Sequence, residues 1–468
     1  MAASTNPAIM CSATAVGKCP PLYRFSMFFD GTGNNMCNTL MYKNGKTQLS
    51  ADSYLCDYSN VAKMFTCLDA ADVANPDDAR AHVKFYIEGI GTKTGYSDSN
   101  ILGGGLGWSS DGIKTRVDET VILVVDKLNT VTKDKRAGLG SNKSLKVGLT
   151  FDVFGFSRGA AAARYFIYRM MVEGWVDESK KDSDAVIAAV LNKQIKQSGY
   201  NLEVSYIDVN FAGLFDTVAH YGGDEDDDVK QLHLDAIDKA RHVVHLTAAD
   251  EYRKNFSVVN VASVPKGNRV EVLLPGSHSD IGGGYKTSED EDRWELSNST
   301  VFPHTPNWYE NDKKWLEKEG WYKSAEFEIV APKETPRRLV ASRAGIPNTY
   351  SQIPLRIMVD QATNKAGLKF QSSKCRDYIH PEWGSAEIIL RESLPPDLQD
   401  LFTALYKPES PGLIGKWQDD FSYSDLRHKY LHFSSRYDVS DRWGLHFDIY
   451  APRWIGDHRV RHIIPGFL

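Results

Sequence analysis

The 468-residue chain has no apolar stretch near the roughly 20 residues a membrane-spanning helix needs. Its longest apolar runs, around 119–128 and 257–264, are far too short, so it is not expected to cross a bilayer. The N-terminus, MAASTNPAIMCSATAVGKCPP, lacks the basic start and continuous apolar core of a general export signal. There is no basic excess: 55 Lys and Arg stand against 61 Asp and Glu, a net charge of -6, which argues against a nucleic-acid partner. Cysteine is sparse, with six residues at positions 11, 19, 37, 56, 67 and 375, no CxxC pair and no His spacing suited to zinc. They read mostly as free or buried thiols, with Cys11 and Cys19 able to pair only in an oxidising space. No internal repeat is evident. What remains, 42% hydrophobic and 25% charged, is an ordinary globular composition with enough chain for a large buried core.

Strand-like and helix-like segments alternate along that chain. YRFSMFFD (23–30) reads as a strand ending in the glycine loop GTGNN, SNVAKMFTCLDAA (59–71) as a helix, and HVKFYIEGIGT (82–92) as strand and loop. A helix is predicted near 110–128, a buried strand in LKVGLTFDVFGF, a helix in RGAAAARYFIYRMMVEGW, a long strand at 203–216, a helix near 231–249 and a last strand at 269–276. Such βα alternation predicts a mostly parallel sheet with helices on both faces.

In sheets of this kind the working residues lie at the carboxyl ends of the strands. Gly155-Phe156-Ser157-Arg158-Gly159 has the GxSxG pattern and sits between a predicted strand and a predicted helix, the context of a nucleophile elbow. The other strand ends carry Asp30-Gly31-Thr32, Asp216-Thr217 and Ser277-His278-Ser279-Asp280. Serine, acid and histidine therefore follow one another in the order of α/β-hydrolases. Ser157 would attack an acyl carbonyl, His278 would take and return its proton, and Asp216 would orient the imidazole. The oxyanion would be held by the Arg158 N–H and by Gly31 or Thr32 in the loop after the first strand, with Asp30 beside it. Asp280 is the rival acid, although its two-residue separation from His278 better suits a loop-bracing hydrogen bond. Gly282 to Gly284 would let the backbone bend closely around the histidine. Taken singly, Asp216 also fits a helix cap and His278 a satisfied loop histidine.

Five segments, MFFDGTGNN, GFSRGAAAAR, GLFDTVAHYG, DEYRKNFSV and LPGSHSDIGGGY, resemble in this order the hallmark segments of the first family of type VI secretion lipase effectors, from residue 23 to about 285. The resemblance implies an α/β-hydrolase core and an antibacterial phospholipase. It implies delivery by a secretion spike protein into the periplasm of a neighbouring cell, and neutralisation in kin by an immunity protein. It also carries the triad onto Ser157, Asp216 and His278, with phospholipid at a membrane surface as substrate; no cofactor or metal is expected. The expected organisation is an N-terminal arm (1–22), the catalytic core (23–285), and an insertion or cap with a C-terminal region (286–468) packing on it. A soluble carboxylesterase or thioesterase, or a non-catalytic binding module of the same fold, are the alternatives.

The rest of the sequence is less specific. Residues 286–350 are rich in charge, tryptophan and proline, which suits an insertion or lid. The tail mixes aromatics with Arg and His, suiting a cap or an interfacial surface. His428 and His432 are four apart and could share a helix face as metal ligands. The acidic run GGDEDDD (222–228) reads as a solvated loop, with calcium as the sharper alternative.

Overall fold

Alternation along the strand Leu22–Phe29 (β1) sends Phe25, Met27 and Phe29 to one buried layer and Phe28 to the other. The computed structural model containing this strand describes residues 20–72, 81–98, 112–139, 143–172, 188–219, 228–298, 308–330, 338–371, 374–380, 384–389, 394–405, 423–437, 450–455 and 458–467. The strands that join β1 in one sheet are β2 (Ala71–Asp72), β3 (His82–Ile87), β4 (Leu145–Phe156), β5 (Leu202–Phe215), β6 (His242–Ala248) and β8 (Arg269–Leu274). Their order is β2-β3-β1-β4-β5-β6-β8, and every neighbouring pair is parallel. The intervening two-residue strand β7 (Val258–Val259) lies outside this sheet.

The sheet is buried on both sides. One layer holds Phe28, Phe154, Phe211 and Leu246 with the helices Asn60–Cys67 and Gln352–Ala366. The other holds Phe29, Phe151, Val153 and Leu214 with the helices Ile113–Val131 and Arg158–Met171. Ala160 to Ala163 are buried, which lets the second of these helices lie close to the strands while Phe166 packs against Phe29 and Phe151.

One expected element is of the wrong type. The helix predicted near 231–249 is instead a short 3-10 turn, Leu234–Lys239, followed by strand β6. Almost all of HVVHLTA is buried between two parallel neighbours. A strand covered on both faces has no polar alternation to reveal it, and β-branched Val243, Val244 and Thr247 are the surviving signal.

Beyond residue 286 the strands Ser288–Asn298, Phe327–Val330 and Arg338–Pro347 form an antiparallel sheet. The tail residues Ile463–Ile464 pair in parallel with β7. Cys37 and Cys56 are not disulfide-bonded, whereas Cys67, read from sequence as a thiol, is. Among the described residues no helix is long and apolar enough to cross a membrane.

Candidate active site

The β4–β5 register sets Phe156 opposite Phe215, so Ser157 and Asp216 emerge side by side at the carboxyl edge of the sheet. Both leave their strands at positive φ, 58° for Ser157 and 46° for Asp216. A non-glycine residue in that region costs of order 1–3 kcal/mol and persists only when its surroundings over-determine it. Those surroundings are visible at Ser157. Its N–H donates to Phe215 O at 3.1 Å, and its carbonyl accepts from Ala160 N at 3.0 Å and Val218 N at 3.3 Å. A Cβ on Gly159 would lie 2.2 Å from Asp30 O, so only glycine lets the helix start this close to the end of β1.

His278 opens the short helix His278–Gly282 after β8. Its Nδ1 lies 2.6 Å from Asp216 Oδ2, and its Nε2 is buried with no hydrogen-bond partner among the described residues. The ring rests 4.6 Å from the ring of Phe156, the residue before the serine, and 5.0 Å from Phe256. The other surfaces of Phe156 explain two glycines, since a Cβ on Gly31 or Gly282 would fall within 2.3 Å of its ring atoms.

Asp216 is fully enclosed. Oδ1 accepts from Ala248 N at 2.9 Å, while Oδ2 takes both His278 Nδ1 and Arg461 Nη2, the latter at 2.7 Å. Burial alone would push its carboxyl up, but the Arg461 guanidinium and His278 outweigh that and hold it well below the usual carboxylate range. Burial lowers the His278 imidazole from its ordinary value against the opposing pull of Asp216. Directly behind, Thr217 N donates to His245 Nε2 at 3.1 Å, which leaves the His245 proton on Nδ1 facing Glu271 at 2.9 Å.

Asp280 faces elsewhere. Its Oδ2 accepts from Ser277 N at 2.9 Å, and its Oδ1 lies 2.8 Å from His432 Nδ1, so it braces the loop against the C-terminal segment. His432 lies past the end of the helix Tyr423–Tyr430, and His428 pairs with Glu326 at 2.9 Å, so the two histidines do not converge. Among the described residues no His, Cys, Asp and Glu group could hold a metal. Residues 222–227 of the acidic run lie outside the described residues.

On the oxyanion side, the Gly31 N–H is taken by Asp30 Oδ1 at 2.7 Å. The Thr32 N–H has no acceptor among the described residues, and the Thr32 hydroxyl accepts from Arg158 Nε at 2.7 Å. Burial pushes the Asp30 carboxyl up to about 6, opposed by hydrogen bonds from Ser59, Tyr86 and Gly31. Burial likewise lowers the Arg158 guanidinium to about 10.

Three charged neighbours of the histidine escaped the sequence reading. Glu251 accepts the His278 N–H at 3.2 Å and is clamped by Arg253 at 2.8 Å and Ser434 at 3.0 Å. Its carboxyl, which burial would raise, is held at about 2 by Arg253, His278 and Arg461. The segment DEYRKNFSV carried the signal for Glu251 and Arg253, whereas nothing in the tail marked Arg461.

With this geometry in place, residues 24–302 match the family model of the Tle1-like type VI secretion phospholipase effectors, catalytic domain. The chain belongs to that family. The effector is thus a lipolytic hydrolase exported by the type VI system. Among solved structures it is similar to a Tle1 effector described as bound to the VgrG spike of that system, at 24% identity and a TM-score of 0.58, covering 95% of this chain and 94% of that one. That likeness shows the shared fold along nearly the whole effector. An uncharacterized Pseudomonas aeruginosa protein matches 57% of this chain and 42% of its own at 20% identity and a TM-score of 0.35, too remote to carry an argument. No curated protein matches the effector.

Proposed function

We propose that the effector is a serine phospholipase A that cleaves acyl esters of membrane phospholipids. The observation that carries the reading is the His278 imidazole, bonded through Nδ1 to Asp216, its Nε2 buried with no partner among the described residues, and its ring packed on Phe156, the residue that precedes the strained Ser157 turn. Ser157 Oγ attacks the acyl carbonyl as His278 Nε2 takes its proton, and the imidazolium that forms is stabilised by Asp216. The oxyanion is held by the N–H groups of Arg158, at the start of the elbow helix, and Thr32. Thr32 is preferred to Gly31 because Asp30 already occupies the Gly31 N–H. The proton then passes from His278 to the departing lysophospholipid oxygen. Water, deprotonated by the same nitrogen, releases the fatty acid.

Delivery by a VgrG-type spike, action in the target periplasm and neutralisation by an immunity protein complete the proposal, supported by membership in the family. The site chemistry is tested with a fluorophosphonate probe. We expect covalent labelling at Ser157, and a Ser157→Ala enzyme that keeps its fold while losing at least about a thousandfold in turnover. Near-native turnover by that variant would move the nucleophile elsewhere.

A further inference from the structure

Arg461 ends on the one carboxylate oxygen that also holds His278. Its Nη2 lies 2.7 Å from Asp216 Oδ2, the same group reaches Phe256 O at 3.2 Å, and its Nη1 donates to Ala248 O. The side chain has little freedom to leave. Val258 N donates to His462 O, Asn260 N to Ile464 O and Gly466 N to Asn260 Oδ1, so the backbone on the C-terminal side of Arg461 is stitched to β7 and the residue after it.

His278 therefore sits among four charged groups from three parts of the chain. Asp216 comes from the end of β5, Glu251 and Arg253 from the loop after β6, and Arg461 from the tail. Asp280, on the histidine's own helix, is turned to Ser277 and His432. In an isolated triad the acid has one cation to stabilise, the imidazolium that forms during turnover. Here a permanent cation shares the same oxygen, so part of the carboxylate field is already answered before His278 gains a proton.

We propose that Arg461 is a positioning residue: by sharing Asp216 Oδ2 with His278 it fixes the carboxylate and keeps the imidazole neutral, hence competent as a base, into mildly acidic solution. This rests on the triad reading given above. The sign follows from Coulomb's law. Removing the guanidinium leaves the whole Asp216 charge facing the imidazole, which stabilises the imidazolium and raises the pH needed to discharge it.

The experiment is the pH dependence of fluorophosphonate inactivation, with kcat/KM on a short soluble ester beside it, for the native enzyme, Arg461→Gln and Arg461→Lys. Because the probe reports only molecules with a competent serine, a partly unfolded preparation still returns its midpoint. We expect the acid limb of Arg461→Gln to move up by about 1 pH unit. Arg461→Lys, which keeps the charge, should stay close to native. An acid limb unmoved or lowered in Arg461→Gln, whatever the loss in rate, overturns the proposal, because a merely structural arginine would change the plateau and not the midpoint. Labelling that persists in Ser157→Ala overturns the triad reading instead, so the two failures are distinguishable.

Discussion

Asp216 and Asp280 are both buried acids close in sequence or space to His278, yet their hydrogen bonds differ in kind. Asp216 Oδ2 meets the imidazole itself, whereas Asp280 binds the backbone and hydroxyl of Ser277 and the side chain of His432. We expect Asp216→Asn to lower kcat by about three to four orders of magnitude, because an amide neither fixes the tautomer nor stabilises the imidazolium. Asp280→Asn should cost less than tenfold in kcat and about 1 kcal/mol in stability, the scale of a weakened helix cap. Rate measurements on the soluble ester with thermal melts check both, and the reverse ranking would promote Asp280. The separation of these two carboxylates was legible because a strand end and a two-residue spacing are local features. Arg461 was not: it reaches Asp216 from 245 residues away, and no spacing rule links a tail arginine to a strand end.

The elements that carry the site were legible to different degrees. The elbow strand and helix declare themselves through a long apolar run, two glycines and four alanines. Strand β6 did not, because burial on both faces removes the alternation by which a strand is told from a buried helix. The elbow also gives an element-level test. A Cβ on Gly159 would stand 2.2 Å from Asp30 O and 2.5 Å from Phe29 O, both backbone atoms at the root of the loop that carries Thr32. Gly159→Ala must push the helix away from β1, at about 1–3 kcal/mol, and should depress kcat/KM beyond what the stability loss explains. The control is Gly267→Ala, where the new methyl meets nothing within 4 Å and a change within about 0.5 kcal/mol is expected. Equal behaviour of the two variants in melts and kinetics would show that the close approach is not what the site depends on.

At the scale of the molecule, the hydrolase sheet is inseparable from the C-terminal third in the way its buried charges are balanced. Asp250 pairs with Arg427 at 2.8 Å, Asp280 with His432, Glu251 with Ser434 and Asp216 with Arg461, so four acids around the histidine loop all find partners beyond residue 420. Removing Arg427 or Arg461 would leave a buried carboxylate short of its cation, a strongly destabilising change. The same whole-molecule view bears on the substrate. A net charge of -6 does not favour electrostatic attraction to anionic lipid, so docking should rest on apolar and aromatic contacts and depend weakly on salt. The most direct test of the central claim is product analysis after the purified effector meets zwitterionic and anionic phospholipid vesicles across a salt series, with a short water-soluble ester beside them. Fatty acid and lysophospholipid should appear from both kinds of vesicle in the native enzyme, nearly independent of salt, and vanish in Ser157→Ala. Efficient cleavage of the soluble ester with no product from any vesicle would contradict the phospholipase account and leave a soluble carboxylesterase in its place.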